Sequence, residues 1–443
     1  MGHRLVSNCY DSHVHWLATG QVATSWRLHH LKSALDLSRE TVKPSYFRGE
    51  WLVGFGWDNN LWPEGEFPHR SALDKLFPNF PVALSRADGH AVWVNSVALQ
   101  RLGMLGARGE KGHIPPVVGG RIVFDDSGSP TGILIDLAKS LVDALIPQIN
   151  RQQVKSFLLK GMQEFNRAGI THIRDMSCSE EQWTEVVHLA EAELLTMAVE
   201  QTFSADDPND FEAALDLAIR ARRQNLALVR AQTIKIYYDG ALGSEGALLS
   251  CDYQSGSGRG LELLSKSDIQ GFMHLAWESG FDLAVHTIGD EAAHRVILAA
   301  QGVWEKGIKG KLHLEHAQML RPETIFQIPA DSVICHLQPC HWLSDRKWLR
   351  KKLGSLYPHV FPWRALQEAG IPFFFGSDSP IEKPSIQNTL LAIEESPHEE
   401  IPKLLGDPLL YHSHPDGTWV PSCFSHFTNG IPTSVVFKGV HLI

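Results

Sequence analysis

Apolar residues along this chain fall into two alternating patterns. Short runs rich in β-branched and aromatic residues give way to longer stretches whose apolar positions recur at helical spacing, as in a parallel sheet with helices between its strands. Eight runs stand out: LVSNCYDSHVH from Leu5, ITHIRDMS from Ile170, LLTMAVEQTF from Leu194, TIKIYYDG from Thr233, FDLAVHTIGD from Phe281, LHLEHAQ from Leu312, SVICHLQP from Ser332 and IPFFFGSD from Ile371. Intervening segments such as SEEQWTEVVHLAEAE and DPNDFEAALDLAIRARRQN are amphipathic, and several open on Ser or Asp and close on Gly, as helices do. The pattern predicts an α/β fold, a (β/α)8 TIM-like barrel.

From about Ser45 to Pro147 the rhythm breaks. WLVGFGW, PVALSRADG and the hairpin-like VVGGRIVFDDSGSPTGILI predict a β-rich insertion, residues 45–147, after strand one. Insertions at this end of a barrel are expected to form a lid or wall over an active site. Beyond Asp378 the pattern fades. Residues 1–400 therefore read as one barrel domain with its insertion, and 401–443 as a tail of loop with one or two strands.

With 443 residues, 43% of them apolar, the chain can bury a large core. A net charge of -10 argues against a nucleic-acid surface, which needs clustered Lys and Arg, so the expected partner is a small molecule. A homo-oligomer is compatible with this composition. Six cysteines without CxxC pairs suggest neither a disulfide framework nor a thiolate zinc finger. The opening MGHRLVSNCYDSHVHW has no basic-then-apolar signal and no later run of about 18 apolar residues follows, so no membrane partner and a cytoplasmic location are expected.

Polar residues then fall at informative places on the strands. His13 and His15 end strand one, Lys235 sits inside strand four, His286 and His316 lie in strands five and six, and Asp378 ends strand eight. Residues two apart in a strand share a face, so His13 and His15 can point at one metal ion, and the others converge on the same mouth if the barrel closes. Among 23 histidines an HxH pair arises readily by chance, and the second pair, His412 and His414, lies in a Pro/Gly-containing loop and reads as a decoy. Single strand histidines can equally be hydrogen-bonded core residues, and Asp378 could cap a helix; it is the joint placement that points to a divalent-metal site. Lys235 is flanked by Ile234 and Ile236, where a charged ammonium is costly. A neutral amine there could take up carbon dioxide and bridge two cations as a carbamate.

These residues resemble those of the amidohydrolase superfamily, and the surrounding text is similar to its amidohydrolase-3 branch, the group of N-substituted formamide deformylase and uncharacterised relatives. The resemblance rests on GWDNNLWPEGEFPHR from Gly56, LSRADGHAVWVNSVAL from Leu84, GSPTGILID from Gly128, AGITHIRDM from Ala168, KIYYDGALGS from Lys235, AVHTIGDEA from Ala284, LEHAQ from Leu314, LQPCHWLSD from Leu337 and FGSDSP from Phe375. It implies His13 and His15 on one metal with Asp378, His286 and His316 on the other, and Lys235 as bridge. Zinc is the expected ion, one or two per chain. Arg86, His90, Trp57, Gln338, His341 and Asp290 are the expected substrate or supporting residues. Relatives carry a β-sandwich built from both chain ends; here it is expected to be missing or vestigial, with 401–443 as its remnant. Glu245 stands where relatives often carry a basic residue, which implies altered substrate contacts.

The implied reaction is hydrolysis of a non-peptide C–N bond in a small molecule, with a metal-activated hydroxide attacking a carbonyl and Asp378 as general acid and base. The same site could serve ester, lactone or phosphoester hydrolysis, or a metal-binding barrel that acts as a scaffold without catalysis.

Overall fold

The computed structural model describes residues 3–63, 65–106, 108–397 and 401–443. These form two compact units: Met1–Ala23, Arg151–Asp239 and Ala247–Ile443 make the first, and Thr24–Asn150 with Gly240–Gly246 the second. The second unit thus takes in more of the chain than the 45–147 interval read from the sequence.

In the first unit eight strands lie side by side in chain order: β1 (Tyr10–Val14), β2 (His172–Asp175), β3 (Ala198–Ser204), β4 (Val229–Tyr237), β5 (Asp282–Thr287), β6 (Leu312–His316), β7 (Val333–Leu337) and β8 (Phe373–Phe375). All neighbouring pairs are parallel. Parallel neighbours require a crossover, and helices supply it. One of them, Arg151–Arg167, buries Val154, Leu158, Met162 and Phe165 along one stripe, each worth roughly 1.5–3 kcal/mol of transfer free energy. The ends of the sheet meet: Val14 and Ser379 form a parallel bridge, the Asp378 amide donates to the His13 carbonyl at 2.8 Å, and the His15 amide donates to the Ser379 carbonyl at 2.7 Å. The result is a (β/α)8 barrel whose seam lies at the HxH segment.

That seam depends on Gly376. A Cβ at this position would sit 2.6 Å from the His13 backbone nitrogen and 2.8 Å from the His13 Cβ. No side chain fits where β8 passes β1.

The first predicted strand is in fact two. Asn8, at φ 47°, turns the chain between His3–Ser7 and β1, and its side-chain amide donates to the Gly417 carbonyl at 2.8 Å. Asn tolerates the left-handed region, so no glycine or proline announces the break. His3–Ser7 instead pairs antiparallel with Phe424–Thr428, which continues through Ile431–Phe437 to Val440–His441. The tail therefore carries three strands where one or two were expected.

In the second unit a mixed sheet runs in the order Trp26–Arg27, Trp51–Trp57, Val82–Arg86, Ala91–Val94, Pro130–Asp136, Gly120–Phe124, with Phe47–Arg48 also on Trp51–Trp57. Alternate residues divide between two apolar clusters: Leu52, Val82, Leu84 and Trp93 in one, and Trp51, Ala83, Val92 and Val94 in the other. Both faces of this sheet are covered. Among the described residues no helix is long and apolar enough to cross a membrane.

Two glycines give a stability test. Gly376→Ala should cost about 1–3 kcal/mol by overpacking the seam, whereas Gly271→Ala, in the helix Lys266–Glu278 with open space around it, should be neutral or stabilising by up to about 1 kcal/mol. Urea denaturation of both variants checks this; equal stabilities would remove the steric account of the seam.

Candidate metal centre

Asp378 lies just beyond β8, and several imidazoles converge on its carboxylate. His15 Nε2 is 3.2 Å and His13 Nε2 3.4 Å from Oδ1, while His341 Nε2 is 3.6 Å and His316 Nδ1 4.0 Å from Oδ2. His13 comes from β1, His15 from the residue after it, and His316 from the end of β6. The His316 ring centroid is 4.7 Å from that of His13 and 4.5 Å from that of His286 on β5. Both Asp378 (φ 55°) and His316 (φ 70°) occupy the left-handed region, which costs a non-glycine residue on the order of 1–3 kcal/mol. The surrounding structure overrides that cost in order to aim them.

Hydrogen bonds decide which ring nitrogens remain open. Glu315 is held ionised: burial would raise its carboxyl, but the Arg174 guanidinium and the His13 hydrogen bond keep it well below the usual range. His13 Nδ1 therefore donates to Glu315 Oε2 at 2.5 Å, leaving Nε2 to face Asp378. At His316 the argument runs through Gln338, whose Nε2 donates to the His336 carbonyl at 3.1 Å. Its Oε1 must then accept from His316 Nδ1 at 2.9 Å, which leaves His316 Nε2 unprotonated, with its lone pair available to a ligand. His15 Nδ1 contacts Ser177 Oγ at 2.9 Å.

His13 Nε2 and Asp378 Oδ1 are both buried, and neither has a hydrogen-bond partner of good geometry. Two lone-pair atoms 3.4 Å apart in a dry interior repel unless a proton or a cation lies between them. With no ion the site favours the proton: burial opposes ionisation of both groups, yet the Asp378 charge, with Glu315, raises the His13 imidazole, and the His13, His15 and His316 imidazoles around Asp378 hold it well below an ordinary carboxylate. His13, His316 and Asp378 form a buried set able to hold a metal ion. Lys235, on β4, is fully buried beside the Tyr237 ring at 4.7 Å; burial lowers its amine, against the opposing pull of Glu315 and Asp378.

The profile of the Amidohydrolase family matches residues 10–387. This chain belongs to that family. YtcJ of Bacillus subtilis (strain 168) is 30% identical over 408 residues, which span 88% of this chain and 73% of that protein. N-substituted formamide deformylase of Arthrobacter pascens is 27% identical over 345 residues, 75% of this chain and 62% of the relative. Among solved structures, an uncharacterized metal-dependent hydrolase from Pyrococcus furiosus shares the fold with a TM-score of 0.65 at 24% identity, over 93% of this chain and 81% of that one.

Gln338 and His341, expected near substrate, stand beside His316 and Asp378 in this family member, Gln338 buried and His341 partly exposed. Asp290 is not: at the start of the helix Asp290–Trp304 it accepts from the Ser250 amide and pairs with Arg321 at 3.4 Å. In the second unit Trp57 is fully buried, donates its indole N–H to the Leu84 carbonyl and packs on Trp62 and Trp93, so it offers no face to a ligand. Arg86 is buried between Asp58 and Asp88, and His90 Nδ1 is 2.8 Å from Asp136.

Sequence reasoning missed three buried charges in this family member. Asp239, two residues past β4, accepts from the amides of Leu248, Ile288 and Gly289 at 2.8–3.0 Å and so ties together the segments that follow β4 and β5. Glu315 and Arg174 form a sealed pair at 2.6 Å. The signal was available, since both interrupt apolar strand runs as Lys235 does. The second HxH is also buried: His412 Nδ1 donates to the Tyr10 carbonyl at 3.2 Å, and His414 Nε2 is 3.2 Å from Glu200.

Burial depresses His172 to about 3 and His412 to about 4. Both are neutral when folded, whereas the unfolded chain protonates them near pH 6.5. Their stabilisation is full above that pH and is lost as pH falls toward 4. Urea denaturation between pH 7.5 and 4.5 should show this decline, and His412→Gln should make it shallower by up to one proton; an unchanged slope would contradict the assignment.

Proposed function

We propose that this chain is a metal-dependent hydrolase of a non-peptide C–N bond in a small molecule, holding one or two divalent cations, with zinc the expected ion. The observation that carries this reading is the sealed pair of open donors, His13 Nε2 and Asp378 Oδ1, 3.4 Å apart. His15, His286, His316 and Lys235 complete the donor set by their placement around it. Nitrogen and carboxylate donors of this kind suit zinc, and a neutral Lys235 amine, favoured by burial, is the form able to take up carbon dioxide. The bond class follows the relative named N-substituted formamide deformylase.

A bound cation of this type lowers the pKa of a coordinated water to about 7 and polarises a carbonyl oxygen. The protein's part begins with Asp378. Its carboxylate, kept ionised by the flanking imidazoles, takes the proton from the attacking water. It then delivers that proton to the departing nitrogen, which must leave as an amine because an amide anion is a very poor leaving group. His341, on the Oδ2 side of Asp378, is placed to donate a hydrogen bond to substrate as the bond opens. Gln338 fixes the orientation and tautomer of the His316 ring beside Asp378. A cytoplasmic small molecule is the substrate class that the composition favours.

Asp378→Asn should lower turnover by about 10²–10⁴-fold while far-UV circular dichroism stays unchanged. A panel of N-formyl, N-acyl, ester, lactone and phosphoester substrates, run with and without chelator, tests the bond class: chelator-sensitive cleavage of amides is expected, and preferential cleavage of phosphoesters would overturn it. Native mass spectrometry of metal-loaded protein should find Lys235 heavier by one carbon dioxide; a bare amine would remove the carbamate.

A further inference from the structure

His13 differs from His15 and His316 in what holds its far nitrogen; His286 also faces a carboxylate, Asp239, but its Nε2 lies 3.9 Å from it. His15 has a hydroxyl, Ser177 Oγ, and His316 has an amide oxygen, Gln338 Oε1; both partners are neutral. His13 has a carboxylate, at 2.5 Å, and both side chains are completely buried. The carboxylate is itself anchored, because Glu315 Oε1 accepts from Arg174 Nη1 at 2.6 Å inside the same barrel. Three strands contribute: His13 from β1, Arg174 from β2 and Glu315 from β6.

A buried ion pair of this sort is weak evidence for stability, since desolvating both charges cancels much of their attraction. Its geometry has a different consequence. An anionic acceptor at Nδ1 fixes the tautomer, stops the ring from turning and raises electron density at Nε2, strengthening that nitrogen as a donor to a cation. Arg174, bonded to Oε1, holds the carboxylate against rotation, so that Oε2 stays on His13 Nδ1.

We infer that Glu315 and Arg174 are positioning residues that set the strength and aim of His13 toward a metal ion, so that the ion held by His13 is the one whose affinity the barrel interior tunes. The inference rests on the metal-dependent reading of the preceding section. Neither residue is assigned contact with substrate.

The test is equilibrium zinc binding by competition with a chromophoric chelator, on the full chain. His13→Ala first identifies the equivalent that depends on this ring. Because Glu315→Gln alone strands a buried guanidinium, the informative variant is the double Glu315→Gln/Arg174→Met, which removes both charges at nearly constant volume. With circular dichroism and melting temperature near wild type, the His13-dependent equivalent should bind 10–100-fold more weakly. Any equivalent that survives His13→Ala should stay within about threefold. The cobalt-substituted protein should show a shifted visible absorption band, a change that loosened packing elsewhere would not cause. Unchanged affinity in the double variant overturns the inference, as does equal weakening of every equivalent. Failure of the wild-type protein to bind zinc, or no effect of His13→Ala, would instead remove the metal reading, and this assignment with it.

Discussion

A carboxylate sealed inside a protein has to be compensated locally, and much of this barrel is arranged around that requirement at Asp378. The aspartate sits where the last strand meets the first, so the closing of the ring and the gathering of imidazoles are one event. The amide of Asp378 donates to the carbonyl of His13, and the side chains of the same two residues face each other across 3.4 Å. Backbone closure and side-chain electrostatics are therefore inseparable here. A change that opens the seam also disperses the charge cluster.

The interior below the centre continues the theme. Glu315, Arg174, Glu200 and Tyr10 occupy a barrel lumen that an apolar core could have filled, and each is engaged: Tyr10 donates to Glu200 at 2.5 Å, and Arg174 to Glu315. Such a network is costly when incomplete and rigid when satisfied. A rigid floor suits a centre whose members come from strands far apart in the chain, because no local turn could hold them in register.

Much of this was legible in the sequence. All eight barrel strands announce themselves because parallel strands buried on both faces are written as apolar runs. Polar residues placed at their ends then stand out, as His13, His316 and Asp378 do. What escaped did so for physical reasons. The turn at Asn8 uses a residue that adopts positive φ without the usual glycine flag. Trp57 follows a bulge between Phe55 and Trp57 that resets strand alternation, so a side chain that could pass for a binding surface joins the core instead. Glu315 stands out as a charge in an apolar strand, but its partner does not, because its bond goes to His13, 302 positions away in the chain.

The second unit is discontinuous, and that bears on the order in which the molecule can be made. Residues Gly240–Gly246 belong to it although they follow β4, and they satisfy groups encoded much earlier: Asn60 donates to the Gly243 carbonyl and Arg121 to that of Ser244. A ribosome that has released Asn150 has not yet supplied these acceptors. Until those residues are made, the half-buried Asn60 amide and Arg121 guanidinium can bond only water in their place, so the last hydrogen bonds of the Thr24–Asn150 unit form only after the barrel strand that carries Lys235 has been synthesised.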